Sequence, residues 1–240
     1  MSAHANGAGL RSLLRPADQT TYEKVFDTVY VGLMTNVLLA VACSPLLAAL
    51  AIVRDPLASW PFFVVLSSLC APALGGAFRC FAALGEGSTV VLRTFWHGYR
   101  RTAGRALAVW AAGAAAVSML ALDAVVVART PWGPALAPFF VTAAALVVAV
   151  AFAIMVLLAE TSGAAVRLRA LVRPCLYLVA RRWYLAAVNL IVLGLAVAIV
   201  LVKPMIGVLL LCSPLLYVAW ATTRFILAPA LPGADPLPSS

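Results

Sequence analysis

Charged residues are scarce in this chain of 240 residues. Asp, Glu, Lys and Arg together make up 10% of the sequence, whereas soluble globular proteins carry about 25%. Acidic residues are rarer than basic ones, with eight Asp and Glu against 17 Lys and Arg. Hydrophobic residues make up 65% of the sequence. This composition excludes an ordinary soluble domain and predicts an integral membrane protein.

The motifs of common enzymes and metal sites are also missing. The sequence has no HExxH, no DxxD, no GxSxG and no Walker loop, and its two histidines, His4 and His97, lie far apart. The five cysteines contain no CxxC pair, so they indicate neither a disulfide framework nor a zinc site. We therefore predict a non-enzymatic protein that requires no metal and no cofactor.

What the sequence does contain is six long hydrophobic runs. Each approaches or exceeds the length of about 20 residues that crosses the membrane hydrocarbon as a helix. The runs cover residues 29–53, 60–84, 103–127, 133–159, 184–202 and 205–227. They predict an all-α polytopic bundle of six transmembrane helices, with kinks near Pro45 and Pro72. Residues 1–28 form a predicted cytoplasmic arm, residues 29–227 the membrane domain, and residues 228–240 a disordered proline-rich tail.

The basic residues indicate an orientation for these helices. Most Lys and Arg residues lie in the amino-terminal arm and in the two long connections that follow the second and fourth runs. Membrane proteins concentrate Lys and Arg in cytoplasmic loops, so the pattern predicts that both termini and both long connections are cytoplasmic. Abundant Ala, with Arg strongly preferred to Lys, is typical of a GC-rich bacterial genome. We expect a multi-pass protein of the bacterial plasma membrane.

The two long connections are predicted to hold amphipathic helices at the membrane surface. In the first connection Val91, Leu92, Phe95 and Tyr99 fall on one helical face, opposite the basic side chains. We expect the apolar face to meet acyl chains and the arginines to meet anionic lipid head groups, each contributing about 1 kcal/mol. This placement explains the basic charge without nucleic acid. The predicted surface residues are Arg93, Arg100, Arg101, Arg105, Arg167, Arg169, Arg173, Arg181 and Arg182.

Five polar residues within or at the ends of the runs are candidates for a functional site. They are predicted to lie in the cytoplasmic third of the membrane: Asn36, Arg79, Glu160, Asn189 and Arg224. In one interpretation they share an inward-facing pocket, where Glu160 pairs with Arg79 or Arg224. In the other, both arginines extend to the membrane surface and the two asparagines tie helices together.

Several stretches follow the order of a known family. They are TNVLLAVACSPLLA, SWPFFVVLSSLCAPALGGAFRCF, RTFWHGYRRTAGRAL, RRWYLAAVNL and SPLLYVAWATTRF. Over roughly residues 22–228 the chain resembles the YesL-like family of bacterial integral membrane proteins, in the variant of high-GC Gram-positive bacteria. Members are often encoded beside carbohydrate-uptake systems of the ABC type. The resemblance therefore implies an accessory role in sugar import or its regulation.

Three functions stay open on the sequence alone. The first is the transport accessory, whose partners would be a bilayer with anionic lipids and components of a sugar ABC transporter. The second is a small permease that uses Asn36, Glu160 and Asn189 as a substrate or proton site. The third is a membrane enzyme that acts on a lipid-like substrate.

Overall fold

The chain is helical throughout the part that the structure describes. The computed structural model describes residues 19–53, 59–161, 168–202 and 207–228. Residues 229–240 of the predicted tail, residues 1–18 of the predicted arm, and Arg167 lie outside these ranges. The α-helices are α1 (Gln19–Ala42), α2 (Ser44–Ile52), α3 (Trp60–Ser67), α4 (Cys70–Gly85), α5 (Val91–Val127), α6 (Gly133–Glu160), α7 (Leu168–Arg181), α8 (Trp183–Val202) and α9 (Cys212–Leu227), and a π-helical segment, Gly207–Leu211, precedes α9.

The helices have the length and surface of membrane spans. Five helical segments of the described chain are long and apolar enough to cross a bilayer by length and composition, and there are six when the bent pair formed by α1 and α2 is counted as one span. Large apolar side chains, such as those of Ile52, Ile191 and Val202, are exposed on the outside of the bundle. Water-soluble proteins rarely expose apolar surface on this scale, so the outer surface is suited to lipid. The predicted all-α polytopic bundle is confirmed.

The first and second spans are interrupted close to the prolines. The chain bends by 64° between α1 and α2, and Pro45 occupies the first turn of α2. In the second span α3 ends at Ser67 and α4 begins at Cys70, which places Pro72 in the first turn of α4. Proline is tolerated in a first helical turn, where its missing N–H has no partner to lose.

Helix α1 starts earlier than expected. Its first residue is Gln19, so part of the predicted amino-terminal arm, residues 19–28, is helical and continuous with the first span.

Helix α5 differs from the sequence-based expectation. A surface helix followed by a separate span was expected, but residues Val91–Val127 form one unbroken helix of 37 residues. Phe95 is fully buried and Val91 is nearly so, because α4 packs along this face. The assignment of this face to acyl chains was therefore wrong for these two residues. Leu92 and Trp96 remain exposed.

Glycines allow α4 and α5 to approach each other closely. A Cβ atom added to Gly98 of α5 would lie 3.0 Å from the Cβ atom of Arg79 and 3.2 Å from the Cα atom of Gly76 on α4. A Cβ atom on Gly76 would lie 3.0 Å from the carbonyl oxygen of Phe95. Small residues permit such packing in membrane bundles. The close crossing fixes the position of Arg79 beside α5.

The core is densest next to this crossing. Helix α4 lies between α1, α5 and α6, and the residues of α6 from Phe152 to Ala159 are all buried. The rings of Phe78 and Phe152 meet edge to face, with centroids 5.3 Å apart. The carboxyl-terminal end of α6 is consequently held firmly against α4 and α5.

Helix α7 is a short amphipathic helix in the fourth connection, as expected there. It is not among the spans, and it packs mainly against α6. Cys175 and Val179 are buried on one side, while Arg173 and Arg181 are exposed on the other. Arg169 lies within this helix, but its side chain is outside the described part of the structure.

Candidate functional site

Glu160 and Arg224 form an ion pair between the last residue of α6 and the last turn of α9. The Nε atom of Arg224 lies 3.8 Å from Oε1 of Glu160, which is longer than a hydrogen bond. The Glu160 side chain is 12% exposed and the Arg224 side chain 47% exposed. A loose pair that is open to solvent on one side contributes at most about 1 kcal/mol.

Arginines at this end of the bundle also hold the helix ends. Arg79 Nη1 donates a hydrogen bond of 2.9 Å to the carbonyl oxygen of Ala159, next to Glu160. Arg182 Nη1 donates one of 2.7 Å to the carbonyl oxygen of Phe225. Carbonyl groups in the last turn of a helix have no partner within the helix, and a cation satisfies them well. Arg182, expected at the membrane surface, therefore caps α9.

Aromatic rings support two of these cations. The guanidinium carbon of Arg182 lies 4.8 Å from the ring centroid of Phe225, and that of Arg224 lies 5.3 Å from the ring of Trp220. Both distances are within the range of cation–π attraction.

Asn189 ties α8 to α9. Its Nδ2 donates a hydrogen bond of 2.8 Å to Oγ1 of Thr223, and this hydroxyl donates in turn to the carbonyl oxygen of Ala219 at 2.8 Å. Both side chains are buried. Within the described residues, Oδ1 of Asn189 is buried and accepts no hydrogen bond.

Asn36 makes its contacts at the opposite end of α9 from Arg224. Its Nδ2 donates to the carbonyl oxygen of Leu209 at 3.1 Å, and its Oδ1 accepts from the backbone N–H of Ser213 at 2.6 Å. Ser213 lies in the first turn of α9 and Arg224 in its last turn, so these two residues are about 16 Å apart along the helix at 1.5 Å per residue. The structure brings Arg79, Glu160, Asn189 and Arg224 to one end of the bundle, without Asn36.

A cleft lined by arginines was not anticipated from the sequence. It has a volume of about 170 Å³ and lies between α4, α5 and the end of α6. Arg79, Arg101 and Arg105 line it, with Thr102 and Thr161, and no acidic side chain is among its described lining residues. The i, i+4 spacing of Arg101 and Arg105 indicates a shared helical face. The contribution of Arg79 depends on the α4–α5 crossing, which no local sequence pattern reveals.

Four other arginines that were predicted at the membrane surface have described side chains, and all four are exposed: Arg93, Arg100, Arg173 and Arg181. None of these four residues lines the cleft.

No group of three or more His, Cys, Asp or Glu side chains in the described ranges could hold a metal ion. No protein-family model, no curated protein and no solved structure matches the chain.

Proposed function

We propose that the chain is a multi-pass component of the bacterial cell membrane that acts as a non-enzymatic accessory of a carbohydrate-uptake system of the ABC type. Both termini and the basic end of the bundle face the cytoplasm in this proposal, as the distribution of Lys and Arg favours. The carbohydrate assignment rests on the resemblance to the YesL-like family.

One observation favours an accessory over a transport channel. Asn36, Arg79 and Asn189 each bond to the backbone or side chain of a neighbouring helix. Polar side chains used in this way tie helices together. A fixed bundle with a basic cytoplasmic end supports binding to a partner.

Co-purification tests this proposal. The full chain, carrying an affinity tag, is isolated from native membranes in mild detergent, and an unrelated polytopic protein with the same tag is the control. We expect the membrane subunits of a sugar ABC transporter in stoichiometric amounts with the chain and not with the control. Recovery of the chain alone under these conditions would contradict the accessory role.

A second candidate function, a small permease, is favoured by two buried acceptors. Oε1 of Glu160 and Oδ1 of Asn189 are buried without a hydrogen bond in the described part of the chain. Buried acceptors without a hydrogen bond are uncommon and are a feature of ligand and proton sites. They lie on α6 and α8, both beside α9.

Flux through proteoliposomes tests the permease. If it exists, Glu160→Gln abolishes the uptake of labelled sugar or of protons by the reconstituted chain. Asp123→Asn is the matched control, because Asp123 is an exposed acid on α5 far from this end. Equal flux in the wild type and in Glu160→Gln would remove this alternative.

A further inference from the structure

An apolar groove follows the arginine-lined cleft along helices α5 and α6. The groove has a volume of about 420 Å³ and lies between α5, α6 and α7. Its lining is almost entirely apolar and includes Ala108, Val109, Ala112, Ile154, Leu168 and Val172.

The two cavities share one face of α5. Arg101, Arg105, Ala108 and Ala112 are separated by four, three and four residues, the spacing that keeps side chains on one side of a helix. Arg105 and Ala108 are only about 4.5 Å apart along the axis. On α6 the order is reversed, since Ala159 lines the cleft and Ile154 lines the groove. A charged pocket and an apolar one therefore follow each other along the same two helices.

We propose that these two cavities bind one anionic glycerophospholipid. The phosphate lies in the cleft among Arg79, Arg101 and Arg105, because guanidinium groups bind phosphate oxygens with charge-assisted hydrogen bonds. An acyl chain lies in the groove, beside the side chains of α7. The groove argues against a soluble phosphorylated compound, which has no apolar part to fill it. The three cationic groups favour an anionic lipid over a zwitterionic one.

This site is more specific than the general attraction of basic loops to a membrane. It has a defined stoichiometry of one lipid and uses the half-buried Arg79 with two exposed arginines, Arg101 and Arg105. Arg93 and Arg100 lie on the same helix and are exposed, but they do not line the cleft. The site does not depend on the accessory role, so the lipid and the transporter experiments can fail independently.

Native mass spectrometry of the full chain in detergent tests the head-group contacts. Titration with phosphatidylglycerol is expected to give a one-to-one complex, with phosphatidylcholine binding more weakly. The double variant Arg101→Gln/Arg105→Gln removes two contacts and is expected to weaken phosphatidylglycerol binding about 30-fold. The control variant Arg93→Gln/Arg100→Gln removes the same charge from the same helix and is expected to retain the affinity of the wild type.

Two further titrations separate a lipid from a soluble phosphate. Ala112→Leu fills part of the groove and is expected to weaken phosphatidylglycerol binding. Glycerol 3-phosphate, which has no acyl chain, is expected to bind far more weakly than the lipid. Equal binding of glycerol 3-phosphate and phosphatidylglycerol would overturn the assignment to a lipid. Equal losses of phosphatidylglycerol affinity in the two arginine double variants would overturn the site itself.

Discussion

Asn36 lies between two backbone groups that a regular α-helix would join to each other. In a continuous helix the N–H of Ser213 would donate to the carbonyl oxygen of Leu209, four residues earlier. Here Leu209 lies in the π-helical segment and Ser213 lies in α9, and the side-chain amide of Asn36 bonds to both backbone groups. Pro214 gives a physical reason for the irregular winding, because its ring would collide with the carbonyl of residue 210 in a regular helix. Without Asn36, both groups would be left unpaired in an apolar environment.

Replacement of Asn36 should therefore destabilise the bundle. Asn36→Leu is expected to lower the free energy of unfolding by about 2 kcal/mol, because it removes two hydrogen bonds and leaves their backbone partners buried. Val37→Leu introduces the same side chain at the next, exposed position and should change stability by less than about 0.5 kcal/mol. Denaturant unfolding in detergent micelles measures both. Equal stabilities of the two variants would show that the amide contributes little.

At the scale of single elements, the α4–α5 crossing depends on the absence of side chains. Gly98 packs directly over Gly76 and the stem of Arg79. Gly104, two turns further along α5, has no atom within 4 Å of an added Cβ. The two glycines thus lie on the same helix, one tightly packed and the other in open space.

Alanine substitutions at these glycines should have opposite effects. Gly98→Ala is expected to destabilise the protein by about 1–3 kcal/mol, because the added methyl group forces α4 and α5 apart. Gly104→Ala should be neutral or stabilising by up to about 1 kcal/mol, because alanine favours the helix. Thermal unfolding in detergent compares them. A stable Gly98→Ala protein would mean that the helices do not approach as closely as the structure places them.

The docking of α7 can be followed through Cys175. Burial raises the pKa of the Cys175 thiol to about 11, so the thiol stays protonated at neutral pH. In a chain whose other cysteines are replaced, Cys175 should react with maleimide at least about 300-fold more slowly at pH 7.5 than an ordinary exposed thiol. Its rate should rise about tenfold per unit between pH 8 and pH 10, since the thiolate is the reactive form.

The matched control is an Arg173→Cys variant that lacks all native cysteines, because Arg173 is exposed on the same helix. Stopped-flow labelling of both proteins gives the two rates. Similar rates at pH 7.5 would mean that α7 is not docked on the bundle.

For the whole molecule, the sequence predicts the membrane helices well because apolar length is a local property. The runs at 60–84, 133–159 and 184–202 agree closely with helical segments Trp60–Gly85, Gly133–Glu160 and Trp183–Val202. The third hydrophobic run covers only residues 103–127, yet the helix that contains it begins at Val91. Arginines in the first turns of α5 reduce its hydropathy without interrupting the helix.

The contacts between helices could not be predicted in the same way. Asn36 bonds to residues 173 and 177 positions away, and Gly98 faces Gly76 on another helix. The sequence also does not show which helix Asn36 bonds to, because that contact depends on the π-helical segment before α9. The pairing of Glu160 with Arg224 was one of two alternatives, and only packing selects between them.

Orientation in the membrane is the claim on which the proposed function depends most directly. In a chain without native cysteines, single cysteines replace His97 on α5 and Trp132 in the turn before α6, both of which are exposed. A membrane-impermeant maleimide applied to intact cells should label residue 132 and spare residue 97, and permeabilised cells should be labelled at both. Labelling of residue 97 from outside, or recovery of the chain in the soluble fraction without detergent, would contradict the account.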